Sequence, residues 1–478
     1  MIWLLMIPGA LIVFAAILLL RASAFKPPAT KACETAEATV DEEEAAERLA
    51  QMVRCKTVSS RDAGVVDAAE FDKFRELLPQ LYPNVYKVCK TERIGPSGIL
   101  LKLQGKRSDA PVILMSHYDV VPAEEAAWEK PAFEGIVENG VLWGRGTLDT
   151  KTTLFGILEA AETLIMTGFV PENDIYFAFS GDEEIAGDTA PAMVDELQRR
   201  GIVPSMVLDE GGAVVEGVFP GVSKPCALIG VAEKGMLDVE LAVAGKGGHA
   251  AYPPPHTPVG VLANAVTRIE SKPFKAMLTP PVAAMFDTLG RHSTFAYRLV
   301  FANIRLFMPV LSAMFKKRGG ELNAMLRTTC AFTMMEGSKA SNVIPPSAKV
   351  TANLRLIGGE TVAGAVQRLN ALADEPDIEF NAVVSNEPSR VSVAEGPMWD
   401  KLIGAISQTW TGALVSPYLM FACSDSRHYC RISDRVYRFS AMAMTSEERA
   451  CVHGHNERIT VENLVKTIQF YIRLMRGC

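Results

Sequence analysis

PVILMSHYD, residues 111–119, is a short uncharged apolar run that ends on a histidine and an acid. A run this short, bounded by proline and polar residues, predicts a buried β-strand. Three more stretches have the same character: Asp174–Ser180 (DIYFAFS), Ser205–Leu208 (SMVL) and Tyr437–Met444 (YRFSAMAM). Helical patterns separate the first three, notably Thr152–Thr167 and Ala190–Arg200. Apolar strands alternating with helices predict an α/β fold, with a mostly parallel sheet covered by helices on both faces. Sites in such sheets gather beyond the carboxyl ends of the strands. Each of the four runs is followed by titratable groups: His117 and Asp119, then Asp182, Glu183 and Glu184, then Asp209 and Glu210, then His453. One acid beyond a strand is chance; four such endings predict one shared edge.

The middle of the chain reads differently. Leu237–Ala244 alternates apolar and polar positions, as do parts of Thr329–Met335 and Ala348–Leu356, the pattern of half-exposed antiparallel strands. With helices expected near 258–270 and 360–373, residues 234–386 form an inserted α+β lid domain. The catalytic domain then comprises residues 41–233 and 387–478. Within the insertion, 272–328 carries the apolar stretch AYRLVFANIRLFMPVLSAMFKK (296–317). The preferred expectation is an extra helical hairpin packed on the lid; the other is an amphipathic surface that meets lipid or an acyl chain.

At the start, Ile2–Leu20 is unbroken and apolar, and Arg21, Lys26 and Lys31 follow it. It is long enough to span a bilayer. The competing readings are a cleaved signal, for which Ala22-Ser23-Ala24 offers a site, and a buried core helix. Residues 1–24 are thus expected to anchor the protein in a membrane or export it, and 25–40 to act as a tether. The trailing positive charges favour a cytoplasmic catalytic domain but leave the side of the membrane open. The acidic Asp41–Glu47 cluster suits a helix N-terminus.

A chain of 478 residues is too long for one typical core, so two domains are expected. A formal charge of −7 argues against nucleic acid as a partner. The nine cysteines are scattered with no CxxC pair, which excludes a zinc knuckle or thioredoxin-type motif and predicts no disulfide framework.

His117-Tyr118-Asp119 places two side chains on the same side of an extended strand end, so Asp119 can steer the imidazole directly or through local backbone. Alone, His-x-Asp is common, and a structural histidine is the better reading of it. WGRGTLDTK (143–151) presents Asp149 from a glycine loop near a helix start, where it is either a helix cap or a carboxylate bridging two cations. SGDEE (180–184) gives two adjacent glutamates; one can bind metal while the other takes a proton from the attacking water. A surface acidic turn is the bland alternative. DEGG (209–212) adds a strand-end acid, and HGHNE (453–457) a late histidine, with either His453 or His455 eligible on spacing.

Together SHYDVVP (116–122), WGRGTLDTK (143–151), FSGDEEIAG (179–187), LDEGG (208–212), GGHAAYPP (247–254), SNVIPP (341–346) and HGHNER (453–458) resemble the dinuclear zinc peptidase family of aminoacylase, carboxypeptidase S, glutamate carboxypeptidase and acetylornithine deacetylase. The likeness runs in order over roughly 40–478, and is strongest to the carboxypeptidase S and N-fatty-acyl amino acid synthase/hydrolase members. It implies a zinc aminopeptidase-like catalytic domain that hydrolyses the amide bond of a small peptide or an N-acyl amino acid. It implies two Zn²⁺ per chain, with cobalt or manganese as substitutes. One zinc would take His117, Asp149 and Asp209; the other Asp149, Glu184 and His453. Asp119 would orient His117, and Glu183 would be general base and acid. His249 would help hold the oxyanion, commonly across a homodimer built through the lid. Asn342, Arg355, Ser424 and Arg427 would contact the substrate, Arg355 as a planar fork on a carboxylate. Two departures stand out. Thr150 follows Asp149 where many members carry a second acid after a cis peptide. FACSDSR (421–427) replaces a common Gly-Gly-Thr-Asp-Ala-Arg, which predicts an altered substrate side with Cys423 as packing. A non-catalytic binding protein of the same fold is the rival class, one that ordinarily loses ligands.

Overall fold

The computed structural model describes residues 2–28 and 40–478, with side chains from Gly9 onward, so most of the expected tether lies outside the described residues. Helix α1 (Ile2–Ala24) precedes α2 (Glu42–Val53), whose first turn carries Glu42, Glu43 and Glu44 and whose cap Asp41 accepts from Glu44 N at 3.0 Å. Strands β1 (Lys90–Ile94), β2 (Gly98–Leu103) and β3 (Arg107–His117) follow. Helix α3 (Lys151–Met166), β4 (Asn173–Ser180), α4 (Thr189–Arg199), β5 (Met206–Val215) and β6 (Cys226–Glu233) continue the alternation.

The chain then leaves this unit. Strand β7 (Gly235–Ala244) and α5 (Pro258–Ser271) lead into a helical excursion of α6 (Pro280–His292), α7 (Phe295–Phe301) and α8 (Ile304–Arg318). Strands β8 (Thr329–Glu336) and β9 (Ser347–Leu356), helix α9 (Val362–Ala373) and β10 (Ile378–Asn386) complete the small unit. The chain returns with α10 (Pro397–Thr409), β11 (Leu414–Met420), β12 (Val436–Met444) and α11 (Val461–Gly477).

The large sheet has eight strands in the order β1-β2-β4-β3-β5-β12-β6-β11. Pairs β3/β4, β3/β5, β5/β12 and β6/β11 are parallel, while β1/β2 and β2/β4 are antiparallel. Helices α3, α10 and α11 cover one face and α4 the other. Burial on both faces is why the central strands read as continuous apolar runs: Val112, Ile113 and Leu114 are inaccessible to solvent.

The small sheet, β8-β9-β7-β10, is wholly antiparallel. Leu237, Val239, Leu241 and Val243 alternate inward along β7 and meet Leu262 of α5 and Leu369 of α9. The helical excursion differs from the expected hairpin on the lid. Val282, Met285, Phe286 and Leu289 line one face of α6 and pack with Leu228, Leu414 and Leu419 of the large sheet. Their three- and four-residue spacing makes one apolar stripe, and that stripe is buried against the strands nearest it. Among the described residues no single helix is long and apolar enough to cross a membrane, the searched part of α1 being Gly9–Ala24.

Candidate metal centre and active site

His117 ends β3, and its Nδ1 lies 2.9 Å from the backbone carbonyl of Asp119. A carbonyl only accepts, so Nδ1 donates there, and Nε2 is the nitrogen that would be available to a cation once it gives up its proton. Nε2 stands 3.0 Å from Asp149 Oδ1 and 3.3 Å from Glu210 Oε1. The Asp119 carboxylate, fully buried, accepts from Ser59 Oγ at 2.7 Å and from the backbone N–H groups of Glu183 and Glu184 at 3.1 Å each. It therefore ties the β3 end to the turn carrying both glutamates.

Asp149 divides its oxygens. Oδ1 faces His117, and Oδ2 faces His453 Nε2 at 3.0 Å. His453, and not His455, also reaches Glu184 Oε2 at 3.1 Å, although both histidines are exposed. Two sets of donor atoms, from His117, Asp149 and Glu184 and from His117, Glu183 and Glu210, each fall within 4.8 Å of one another. The Asp149–Thr150 peptide is cis although Thr150 stands where many relatives carry an acid.

The expectation for Asp209 requires correction. Its buried carboxylate is turned to the Ser426 backbone, Oδ2 accepting from Ser426 N at 3.0 Å, and it is Glu210 that stands 3.3 Å from His117 Nε2. The cause is a bulge: β12 pairs Arg438 with Asp209 and the next residue, Phe439, with Gly212. Glu210 and Gly211 are thrown out of the ladder, which re-aims Glu210. Gly211 takes φ +139°, and a Cβ on Gly212 would sit 1.9 Å from Leu228 O, so both glycines are required.

The electrostatics follow from crowding acids in a largely buried pocket. Burial, with Asp425, Glu210 and Glu184 nearby, pushes Glu183 well above the ordinary carboxylate range despite His117. Burial, with Asp149 behind it, raises Glu210 to about 8. Burial opposes charge on His117, but Glu210, Asp119 and Asp149 outweigh it and hold its pKa well above normal. Asp149 goes the other way: burial is overcome by the two imidazoles, and it stays ionised. Glu184 Oε1 is buried without a hydrogen-bond partner. An orphaned carboxylate oxygen amid imidazole and carboxylate donors fits a divalent cation, since nitrogen and oxygen ligands of this kind suit zinc.

Several supporting residues lie inside the quoted motifs but were given no role by the sequence. Glu457 is fully buried; its Oε1 accepts from Gly146 N, Leu148 N and Asp149 N at 3.1, 2.7 and 3.1 Å, and Arg145 Nη1 donates to its Oε2 at 2.7 Å. This carboxylate shapes the glycine loop that presents Asp149. Pairing of residues 458–460 with 141–143 brings the two distant motifs together. Asp425 accepts from Ser180 Oγ at 2.5 Å.

The lid residues are placed apart from this cluster. His249 is exposed on a two-residue strand paired with 343–344; its Nδ1 accepts from Ala251 N at 3.0 Å, and its ring lies near Tyr252. Asn342 is exposed nearby, its carbonyl accepting from Ala250 N at 3.0 Å. Ser424, expected against the substrate, is instead fully buried and donates to Glu233 Oε1 at 2.9 Å, because the turn around it wraps the buried Glu233–Arg438 pair. Cys423 is more than packing: Arg355 Nη1 lies 3.9 Å from its Sγ, and Arg427 also faces it. Arg355 comes from β9 of the small sheet and Arg427 from the large unit, so two guanidiniums meet across the junction.

Comparisons with known proteins place the chain in a family. Residues 113–477 match the model of peptidase family M20/M25/M40. A probable carboxypeptidase S-like 2 from Dictyostelium discoideum is 34% identical over 92% of this chain and 86% of its own length. The N-fatty-acyl-amino acid synthase/hydrolase PM20D1 of Xenopus tropicalis is also 34% identical, over 98% of this chain and 93% of its own. Among solved structures, an M20 family metallo-carboxypeptidase from Sulfolobus solfataricus superposes with a TM-score of 0.66 at 17% identity, covering 92% of this chain and 99% of its own. Human carnosine dipeptidase 1 gives 0.64 at 14%, covering 91% and 96%. The chain therefore belongs to peptidase family M20/M25/M40 and is a metal-dependent amide hydrolase.

Proposed function

We propose that the protein binds two zinc ions and hydrolyses the amide bond of a small peptide with a free C-terminus or of an N-acyl amino acid. The observation that carries the two-metal reading is Asp149, whose two oxygens serve two imidazoles on opposite sides. His117, Asp149 and Glu210 would hold one ion, and Asp149, Glu184 and His453 the other. Such ions polarise the scissile carbonyl and lower the pKa of a water to about 7. Glu183 then accepts the proton of the attacking water and delivers it to the leaving amine nitrogen. Asp119 keeps the His117 tautomer, and Arg355 with Arg427 receives the substrate carboxylate. His249 donates to the developing oxyanion from a partner chain, in a homodimer built through the small unit; its exposure on a lid loop supports this. The exposed apolar side chains of α1 support membrane attachment at the N-terminus.

The named activities of the relatives support a second reading for the same site, reversible synthesis and hydrolysis of N-fatty-acyl amino acids. Dipeptides and N-acyl amino acids of graded chain length, tested with zinc-loaded protein, separate the two. Glu183→Gln should keep both metals yet lose about 10²–10⁴-fold in turnover. Near-normal turnover in that variant refutes the assigned base.

A further inference from the structure

The helical excursion leaves one face that no other part of the described chain covers. In α8, Leu306, Pro309, Val310, Ala313 and Met314 are all exposed, and they recur at the spacing that lines one side of a helix. The other side of α8 packs inward, Met308 and Phe315 joining the cluster around Phe301. The helix is thus apolar toward the protein and apolar toward the outside. Phe295 and Tyr297 of α7 are exposed as well.

This surface is continuous with α1. Helix α1 packs on α7, and Asn303 Nδ2 donates to Leu18 O at 3.3 Å. Beside that contact the described residues 9–20 of α1 show Leu11, Ile12, Phe14 and Leu20 to the outside and include no polar side chain. An exposed helix that is apolar all round belongs to a hydrocarbon environment rather than to water. Helices α7 and α8 are bent by 103° from one another, which suits a pair lying along an interface rather than crossing it.

Charge identifies the occupant. Residues 295–318 contain no acidic residue, in a chain whose formal charge is −7. Arg305, Lys316, Lys317 and Arg318 are exposed on and beside the stripe, and Arg21 and Lys26 lie where α1 meets it. A second copy seated on this face by two-fold symmetry would bring the same cations together. Anionic headgroups would neutralise them. We propose that α7 and α8, continuous with α1, form an interfacial docking surface for a bilayer containing anionic lipid.

The test uses the full chain with vesicles of phosphatidylcholine, with or without phosphatidylserine, doped with a lipid bearing a photoreactive group in its acyl chain. Mass spectrometry then maps the adducts. Adducts are expected on 304–318 as well as on α1. Those on 304–318 should fall at least about tenfold when phosphatidylserine is omitted, or in Lys316→Glu/Lys317→Glu/Arg318→Glu. That variant should keep wild-type amide hydrolysis in detergent, which shows that it folds. Adducts confined to α1, or adducts on 304–318 indifferent to both changes, overturn the proposal. A dimer seen by light scattering that Val310→Glu/Met314→Glu dissociates, with 304–318 unlabelled, makes a second copy the occupant and also overturns it.

Discussion

Asp209 and Glu210 are consecutive acids in β5, yet only Glu210 faces His117, while Asp209 accepts from the Ser426 backbone. A single bulge separates a ligand position from a structural one. Glu210→Gln should therefore lose close to one metal equivalent per chain, whereas Asp209→Asn, which preserves the acceptor toward Ser426, should keep both. Metal content of the purified variants by mass spectrometry decides it, and the reverse pattern would restore Asp209 as the ligand. At this scale His117 was readable because motif and strand end coincide, and Asp149 because a glycine loop presents it, while spacing did not choose between His453 and His455. The choice between two adjacent acids was not readable, because it depends on which rung of β12 the bulge skips.

The elements around the site are held by buried polar contacts spanning hundreds of residues. Glu457 gathers three backbone N–H groups and Arg145, and removing its carboxylate leaves a buried guanidinium without its partner. Glu457→Ala should cost about 3–5 kcal/mol and loosen the Asp149 loop. Chemical denaturation together with metal affinity checks this; unchanged affinity would remove Glu457 from the centre's support. The 3₁₀ turn Asp425–Arg431 offers a pH test. Burial, and behind it the Arg427 guanidinium, pushes His428 down to about 4. The unfolded chain binds a proton near pH 6.5 and the folded chain does not until about 4, so this group removes stability as pH falls between those values. His428→Gln should accordingly retain on the order of 2–4 °C more of its Tm at the acidic end of that window. A thermal melt series across the window checks it, and parallel curves for the two proteins would count against the shift.

At the scale of the molecule, the long antiparallel small unit meets the mixed sheet where Lys234 follows β6, and Arg355 and Arg427 converge at the same junction. A bound cation would contribute to the integrity of the whole, because Glu183, Glu184 and Glu210 form with the histidines a crowd of acid that only the folded chain assembles. Cations that bind the folded state alone stabilise it by about 2.7 kcal/mol at a concentration of 100 Kd. Chelation should lower Tm by several degrees, and added zinc should restore it. A Tm indifferent to chelator would mean that the cluster holds no ion that matters to folding.

The amino-acid sequence by itself determined the large sheet, the insertion of an antiparallel unit and the convergence of histidines and acids. Each of these rests on local signals: apolar runs of strand length, period-two alternation and glycine-flanked acids at strand ends. Tertiary structure alone decided that Glu210 displaces Asp209 and that Ser424 is buried behind the site. It also decided that Glu457 shapes a loop more than three hundred residues away, and that α6 packs on the large sheet. Those outcomes depend on register and on long-range hydrogen bonds, and a carboxylate reads the same in sequence whether it will face a cation or a backbone N–H.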